Sequence, residues 1–280
     1  MTVAAAFRSG VAELAGAPTD TPALESAVLL ADALGVSKER LFARMGDAIG
    51  ARGMASFRRS LSLRRAAVPV AYIRGAKEFY GHTFSVDRRV LIPRPDTECL
   101  VEAALAAIAA DPSLRRVHDV GTGTGCIAIA LKAARPEVSV SVSDVDAACL
   151  EVCRVNQRRL LGRECLPARV ADLLAGVAEP LDMIVANPPY LDAAACARMA
   201  GRGWPEPMGA LRGGAHGAEV TLRLIAQAGG RLRVGGYLFL ETAPEHVERL
   251  EAALTAAGFA EPTVHRDLAG RPRVVGARRR

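Results

Sequence analysis

The 280-residue chain is short of several things, and each shortage removes a class of explanation. No apolar stretch approaches the ~18 residues that a membrane-spanning helix needs. The longest uncharged apolar-rich run near the middle, residues 120–131, is full of Gly and Thr and stops at Lys132. The N-terminal segment carries Arg8 and Glu13 where a secretory signal would need an unbroken apolar core. Six cysteines (Cys99, Cys126, Cys149, Cys153, Cys165, Cys196) form no Cys-x-x-Cys pair and match no histidine spacing, so no metal site is expected. Buried free thiols in a reducing compartment follow, and with them a cytoplasmic protein without a membrane partner. His82, His118, His216, His246 and His265 show neither ligand nor triad spacing and read as surface or satisfied-core residues. Aromatics make up only 4% of the chain, so Ala, Val and Leu must build the core. Lysine is scarce too: Lys38, Lys77 and Lys132 are the only three among 36 cations. The formal net charge of +6 is therefore carried by arginine, a bias that GC-rich coding also produces. It reads as a solvated surface, because no basic stripe with interleaved aromatics marks a nucleic-acid groove.

What is present is globular: 50% hydrophobic and 24% charged residues, with room for one large domain or a standard domain plus a small one. Residues 1–68 read as helical, with helices expected over 3–15, 22–34, 38–44 and 51–66. Thr21-Pro22 supplies an N-cap and a first-turn proline for the second of these, and Gly35 its stop. The fourth carries Arg52, Arg58, Arg59, Arg64 and Arg65 without an intervening acid, which reads as an exposed face. Across 69–98, Phe84, Val86, Val90 and Ile92 among Gly81, Asp87, Pro93 and Pro95 point to a β-hairpin and an extended linker. From residue 99 to 280, helix and strand patterns alternate. Helices are expected over 100–110, 127–134, 147–160, 220–232 and 245–257. Strands are expected over 116–119, 138–143, 169–172, 182–186, 237–241, 262–266 and 272–277. Such alternation gives an α/β domain with a mostly parallel sheet, which binds ligands at the carboxyl ends of its strands.

Three of those strand ends carry chemistry. Gly121-Thr122-Gly123-Thr124-Gly125 joins a strand to a helix, where glycines let backbone approach a ligand. The G-x-G-x-G spacing differs from the dinucleotide fingerprint and lacks the Gly-Lys-Ser/Thr ending of a phosphate loop. A nucleoside with a zwitterionic tail suits it. Asp144 ends the next strand, where an acid can accept both ribose hydroxyls; capping the helix at 147 is its other reading. Asp172 ends the third strand and can accept from an exocyclic adenine amine or cap the following turn. Asn187-Pro188-Pro189-Tyr190 follows the strand 182–186 and is the most specific signal. Its prolines stiffen the backbone and remove two donors, which leaves the Asn187 side-chain oxygen and the Pro188 carbonyl as converging acceptors. A planar –NH2 group requires such a pair, and Tyr190 offers a ring to pack on its plane. Trp204, beside Pro205 and Pro207, reads as a loop anchor, with a substrate entrance as the alternative.

Together these segments resemble a class I S-adenosylmethionine-dependent methyltransferase acting on an amide or amino nitrogen. Pro69-Val70-Ala71-Tyr72-Ile73-Arg74-Gly75, Glu78-Phe79 and Val90-Leu91-Ile92-Pro93-Arg94-Pro95-Asp96-Thr97-Glu98 are similar to the linker of the protein-(glutamine-N5) methyltransferases. Residues 22–41 resemble that family's N-terminal substrate-binding domain, and Asp267-Leu268-Ala269-Gly270-Arg271 its C-terminal segment. The resemblance implies a Rossmann-like, seven-stranded mostly parallel sheet behind a small helical domain (1–68) and a β-hairpin linker (69–98). It implies S-adenosylmethionine as cofactor, held by Gly121, Thr122, Gly123, Thr124, Gly125 and Asp144, with Asp172 and Leu173 near the adenine and Asn187 at the methyl group. Asn187, Pro188, Pro189 and Tyr190 would hold the glutamine of a Gly-Gly-Gln motif in a peptide chain release factor, or of a ribosomal protein. The enzyme would act as a monomer with no stable nucleic-acid partner. An N6-adenine methyltransferase shares the tetrapeptide and stands as the competing reading. His216, Ala218, Thr242 and Pro272 depart from the family pattern at positions expected to lie outside the catalytic core.

Overall fold

Thr2 opens the first helix by accepting the Ala5 N–H at 3.2 Å through its side chain. The computed structural model describes residues 1–163, 165–177, 180–260 and 262–280, and the chain divides into two units, Met1–Ala76 and Lys77–Arg280. The first unit holds five helices: α1 (Val3–Leu14), α2 (Pro22–Leu34), α3 (Lys38–Ala43), α4 (Ala51–Arg65) and α5 (Val70–Arg74). Phe57, Leu14, Leu29, Leu30 and Leu61 are fully buried between them. Thr21 stands at the start of α2 but makes no side-chain cap, and its own N–H turns back to Thr19 Oγ1 at 3.1 Å. One of the five α4 arginines departs from the exposed face expected of them. Arg64 is buried, donates to Glu25 at 2.7 Å and to the Pro18 carbonyl at 2.8 Å, and so cross-links α4 to α2.

A short hairpin, β1 (Ala76–Phe79) and β2 (His82–Ser85), precedes the second unit's main sheet. It is tied down rather than free: Asn156 accepts the Ser85 N–H at 2.7 Å and donates to the Ser85 carbonyl at 3.0 Å. The chain continues through α6 (Glu98–Ala110), β3 (Arg116–Val120), α7 (Cys126–Ala134), β4 (Ser139–Asp144), α8 (Ala147–Leu160), β5 (Ala168–Val170) and β6 (Leu181–Ala186). Next come β7 (Leu191–Asp192), α9 (Ala193–Gly201), β8 (Arg212–Gly214), α10 (Glu219–Ala228), β9 (Leu232–Glu241), α11 (Val247–Ala256), β10 (Thr263–Arg266) and β11 (Pro272–Arg278). Seven strands form one sheet in the order β10-β11-β9-β6-β3-β4-β5. β11 runs against both its neighbours, and the other pairings are parallel.

All six residues of β6 are buried, as a central parallel strand covered on both faces requires. Its side chains alternate between the two halves of the core. Met183 and Val185 pack with α6 and α7, whereas Ile184 and Ala186 pack with α10 and α11. At its start, Asp182 accepts the backbone N–H groups of Arg115 at 2.9 Å and Arg116 at 2.7 Å and pairs with Arg233 at 2.7 Å, which locks β3 against β6. The largest boundary differences from the sequence pattern lie between α10 and β9. α10 stops at Ala228, before Gly229-Gly230, and β9 begins at Leu232, where a helix was expected to continue. α5, α9, β7 and β8 carry no periodic signal of their own and were not expected.

Candidate active site

The order of strands places the site. After β3 the chain turns towards β4 and β5, then returns to lay β6 on the other side of β3. Helices leaving two neighbouring strands in opposite directions open a crevice at their carboxyl ends. In register, Val120 at the end of β3 faces Ala186 at the end of β6, and Val120 faces Ser143 of β4 on its other side. The glycine loop and the Asn187-Pro188-Pro189-Tyr190 segment therefore leave the sheet side by side.

Gly121, Gly123 and Gly125 all have positive φ, and Gly125 is the one that has no alternative. At φ +81° it forms the N-terminus of α7, and a Cβ there would sit 2.6 Å from Cys153 Sγ. Side chains lock the loop from below. Asp119, fully buried at the end of β3, accepts the Thr122 hydroxyl at 2.6 Å. Burial pushes the Asp119 carboxyl up to about 7, against the pull of that hydroxyl. Thr124 presents its carbonyl to Asn156 Nδ2 at 3.0 Å. Asp144 accepts the Gly123 N–H at 2.9 Å with one oxygen and the Asp146 N–H at 3.0 Å with the other. Burial raises its pKa, and those two N–H groups oppose the rise. The cap of α8 is Asp146, which accepts the Ala148 N–H at 2.8 Å, so the capping alternative for Asp144 is overturned.

Asp172 is corrected as well. β5 ends at Val170, so Asp172 stands two residues beyond the strand, exposed, with its carboxylate 2.5 Å from Arg223. It still borders the cleft, next to Leu173, whose φ of +56° turns the chain at this point.

Gly121, Gly123, Asp144, Asp172 and Leu173 line a cleft of about 330 Å³, whereas Thr122, Thr124 and Gly125, expected to hold the cofactor as well, stand behind its wall, the two threonines buried. Gly121, Gly123 and Asp144 lie on its floor side, and Val145, Ala171 and Leu173 give it an apolar flank. A second cleft, of about 180 Å³, lies between Arg94, Tyr190, Met199 and Trp204. The two share Leu91, Asn187, Pro189 and Ala210 in their walls, so the tetrapeptide is the partition where they meet. Trp204 lines the second cleft. Among the described residues nothing hydrogen-bonds the Pro188 carbonyl, and Asn187 Nδ2 donates to Thr97 Oγ1 at 3.2 Å. That bond leaves the Asn187 side-chain oxygen for the clefts. Burial raises the Tyr190 pKa, with the Glu241 charge adding to it, so its phenol stays neutral at pH 7.

Several supports of the tetrapeptide were not singled out from sequence. His246 Nε2 reaches the Tyr190 carbonyl at 3.1 Å. Gly213 packs so close that a Cβ would stand 2.5 Å from the Pro189 carbonyl. Glu206, 4% exposed, accepts the Ile92 N–H at 3.0 Å and pairs with Arg94, which fastens the 92–94 segment to the loop after α9. Glu241 is 1% exposed at the end of β9, beside Asn187 in register, since Leu240 faces Ala186. Its neighbour Thr242, one of the four departures, is equally buried and adjoins the site rather than lying remote from it. An acid in the last two residues of a strand, Asp119 in β3 and Glu241 in β9, is the signal that could have found both. His118 is a satisfied core residue between Ser141 Oγ at 2.8 Å and Ser143 Oγ at 3.0 Å. The cysteines are all free; Cys126, Cys149, Cys153 and Cys196 are buried and Cys165 is exposed.

Residues 97–202 match the methyltransferase small domain, and residues 5–75 match the PrmC N-terminal domain. The release factor glutamine methyltransferase of Cereibacter sphaeroides is 39% identical over 280 residues, covering 99% of both chains. That of Deinococcus radiodurans is 37% identical over 273 residues, covering 96% of this chain and 95% of its own. Among solved structures, the T. thermophilus 16S rRNA N2 G1207 methyltransferase in complex with AdoMet and guanosine matches with a TM-score of 0.54 at 21% identity. It shares 73% of this chain and 50% of its own, a likeness of fold. With near-complete coverage at such identity, the chain belongs to the release factor glutamine methyltransferase family.

Proposed function

We propose that this enzyme transfers the methyl group of S-adenosylmethionine to the side-chain amide nitrogen of a glutamine, in the Gly-Gly-Gln motif of a peptide chain release factor. The observation that carries this reading is the partition of the two clefts by Asn187 and Pro189. One cleft suits a nucleoside with a zwitterionic tail: carboxylate at one edge, apolar flank, and backbone exposed at glycine. The other admits a side chain between Tyr190, Met199 and Trp204. When bound, the cofactor supplies a methyl group already activated by its sulfonium, so this chain has only to position the acceptor and respond to its charge.

An amide nitrogen is a poor nucleophile because its lone pair is delocalised into the carbonyl. Asn187 Oδ1 and the Pro188 carbonyl accept its two hydrogens and hold the nitrogen towards the neighbouring cleft. Alignment of that kind is worth roughly 7–11 kcal/mol of barrier. As positive charge develops on nitrogen, both acceptors bind more strongly than in the ground state, which lowers the barrier further. The methylated amide then loses its proton to water, and no ionised base is needed at the nitrogen. A glutamate would set carboxylate oxygens against the same two acceptors, and sites of this type discriminate by ~10⁴ or more. Residues 1–68 serve as the substrate-binding domain, residues 69–98 as their connection to the methyltransferase domain, and the enzyme works in the cytoplasm. The test is transfer of labelled methyl to a release factor, with the modified residue located by mass spectrometry. Asn187→Ala should lower kcat by roughly 10²-fold. Near-normal turnover would remove Asn187 from this role.

A further inference from the structure

Asn187 has two faces, and which one points into the clefts decides what the site can hold. Its carboxamide can be turned over, which exchanges an acceptor for a donor at the same place. Something must select the orientation, and the neighbours that touch it are Thr97 and, one strand away, Glu241. Asn187 Nδ2 donates to Thr97 Oγ1 at 3.2 Å. Thr97 is 2% exposed, in the turn that opens α6, and its hydroxyl carries a single proton. Glu241 stands at the end of β9, 1% exposed, and among the described residues neither carboxylate oxygen makes a well-formed hydrogen bond. A buried carboxylate in that condition is costly unless a donor turns towards it.

We propose that Thr97 and Glu241 are positioning residues that fix the Asn187 carboxamide with its oxygen towards the acceptor cleft, and so set the preference for a neutral amide over a carboxylate. The inference rests on the glutamine-methylating reading given above. An ionised carboxylate only accepts, so the Glu241 charge favours the Thr97 hydroxyl orientation whose proton is turned towards it. The Thr97 oxygen is then left as an acceptor, and it takes the Asn187 N–H. With Nδ2 occupied there, Oδ1 faces the clefts and meets the –NH2 of glutamine. Turned over, Asn187 would present its own –NH2 to that group and would instead welcome a glutamate.

The groups around Glu241 are consistent with a carboxylate whose charge is read locally. Burial pushes it up to about 7, while the Thr97 hydroxyl, the Arg273 guanidinium and the Asn187 amide hold it down and Asp96 pushes it up. Arg273 of β11 is not its dedicated counter-ion, because it already pairs with Asp96 at 2.9 Å and Asp267 at 3.3 Å. Tyr190 in the loop after β6, Cys99 on α6 and Cys126 on α7 also face its charge, and burial raises the pKa of all three, which keeps them neutral near pH 7. Glu241 is therefore the carboxyl next to Asn187 that changes charge near neutrality. Loss of its charge at lower pH frees the Thr97 proton and releases the choice of orientation.

The experiment uses the full-length enzyme, S-adenosylmethionine and a release factor with either Gln or Glu at the acceptor position. Wild type, Asn187→Ala, Thr97→Val, Thr97→Ser and Glu241→Gln are compared for kcat, KM, cofactor Kd and the pH dependence of kcat. Thr97→Val should lower kcat roughly tenfold or more, with cofactor Kd unchanged, and Thr97→Ser should restore it. Wild-type kcat should rise with pH through an inflection near 7, and Glu241→Gln should lose that inflection. The inference is overturned if Thr97→Val turns over normally, if Thr97→Ser is as defective as Thr97→Val, or if Glu241→Gln keeps the inflection. Should Asn187→Ala itself stay active, the glutamine-methylating reading fails instead; an inactive Asn187→Ala beside a normal Thr97→Val condemns the positioning role alone.

Discussion

Replacing Gly125 with Ala should destabilise the second unit by two separable effects. The first is conformational: φ at Gly125 is +81°, and a side chain there costs ~1–2 kcal/mol. The second is steric. The new Cβ would lie 2.6 Å from Cys153 Sγ and 3.1 Å from Ile129 Cδ1. Cys153 is fully buried on α8, with its sulfur 3.1 Å from Gln157 Nε2, so it has nowhere to retreat. Overpacking of a filled core costs ~1–3 kcal/mol, which brings the expected total to about 2–5 kcal/mol. Cys153→Ala in the Gly125→Ala background removes the sulfur and leaves φ as it was. The double-mutant cycle should return a favourable coupling of about 1–3 kcal/mol. Urea unfolding reports it cleanly, because Trp204 is the only tryptophan and lies in the second unit. Additivity within ~0.5 kcal/mol would refute the clash with Cys153 and leave the backbone conformation and the Ile129 contact as the whole effect.

Asp144→Asn should keep one acceptor but lose the other. Freeing the Gly123 or Asp146 N–H from a charge-assisted bond of ~1.5–3 kcal/mol should weaken cofactor binding by about tenfold or more, measured by calorimetry; an unchanged Kd would contradict the assignment. His118 is buried, and desolvation lowers its pKa to about 4 from 6.5. A histidine depressed in the folded state contributes stability that is complete above the unfolded value and is lost as pH falls through it towards the folded one. Between pH 6.5 and 4, the wild type should therefore lose ~3 kcal/mol relative to His118→Gln. Parallel stability curves for the two would show that His118 does not titrate in this way.

How much of this was legible follows from where each signal is stored. The sheet and the tetrapeptide were legible because both are local. The apolar run Met183-Ile184-Val185-Ala186 in the expected strand 182–186, followed by Asn-Pro-Pro-Tyr, states a buried strand and a rigid exit without help from the rest of the chain. The glycine loop was legible for the same reason. Asp172 was placed on a strand because Arg169-Val170-Ala171 looks extended, but the ladder to β4 ends at Asp144–Val170, and only the pairing partner could reveal that. Arg64 looked exposed among its arginine neighbours until α2 brought Glu25 beside it from 39 residues away. The supports around the tetrapeptide were hidden most thoroughly. Thr97, Glu206, Gly213, Glu241 and His246 lie in five separate segments, and none has a spacing that announces the others. Glu241 in particular needed the register of β6 against β9 to become a neighbour of the tetrapeptide.

The most direct measurement is a crystal structure of the enzyme with S-adenosylhomocysteine and a Gly-Gly-Gln peptide. The account places the glutamine side chain in the cleft beside Tyr190 and Trp204, its nitrogen donating to Asn187 Oδ1 and the Pro188 carbonyl and facing the sulfur. A glutamine bound elsewhere, or an Asn187 whose nitrogen rather than oxygen meets the substrate amide, would contradict it.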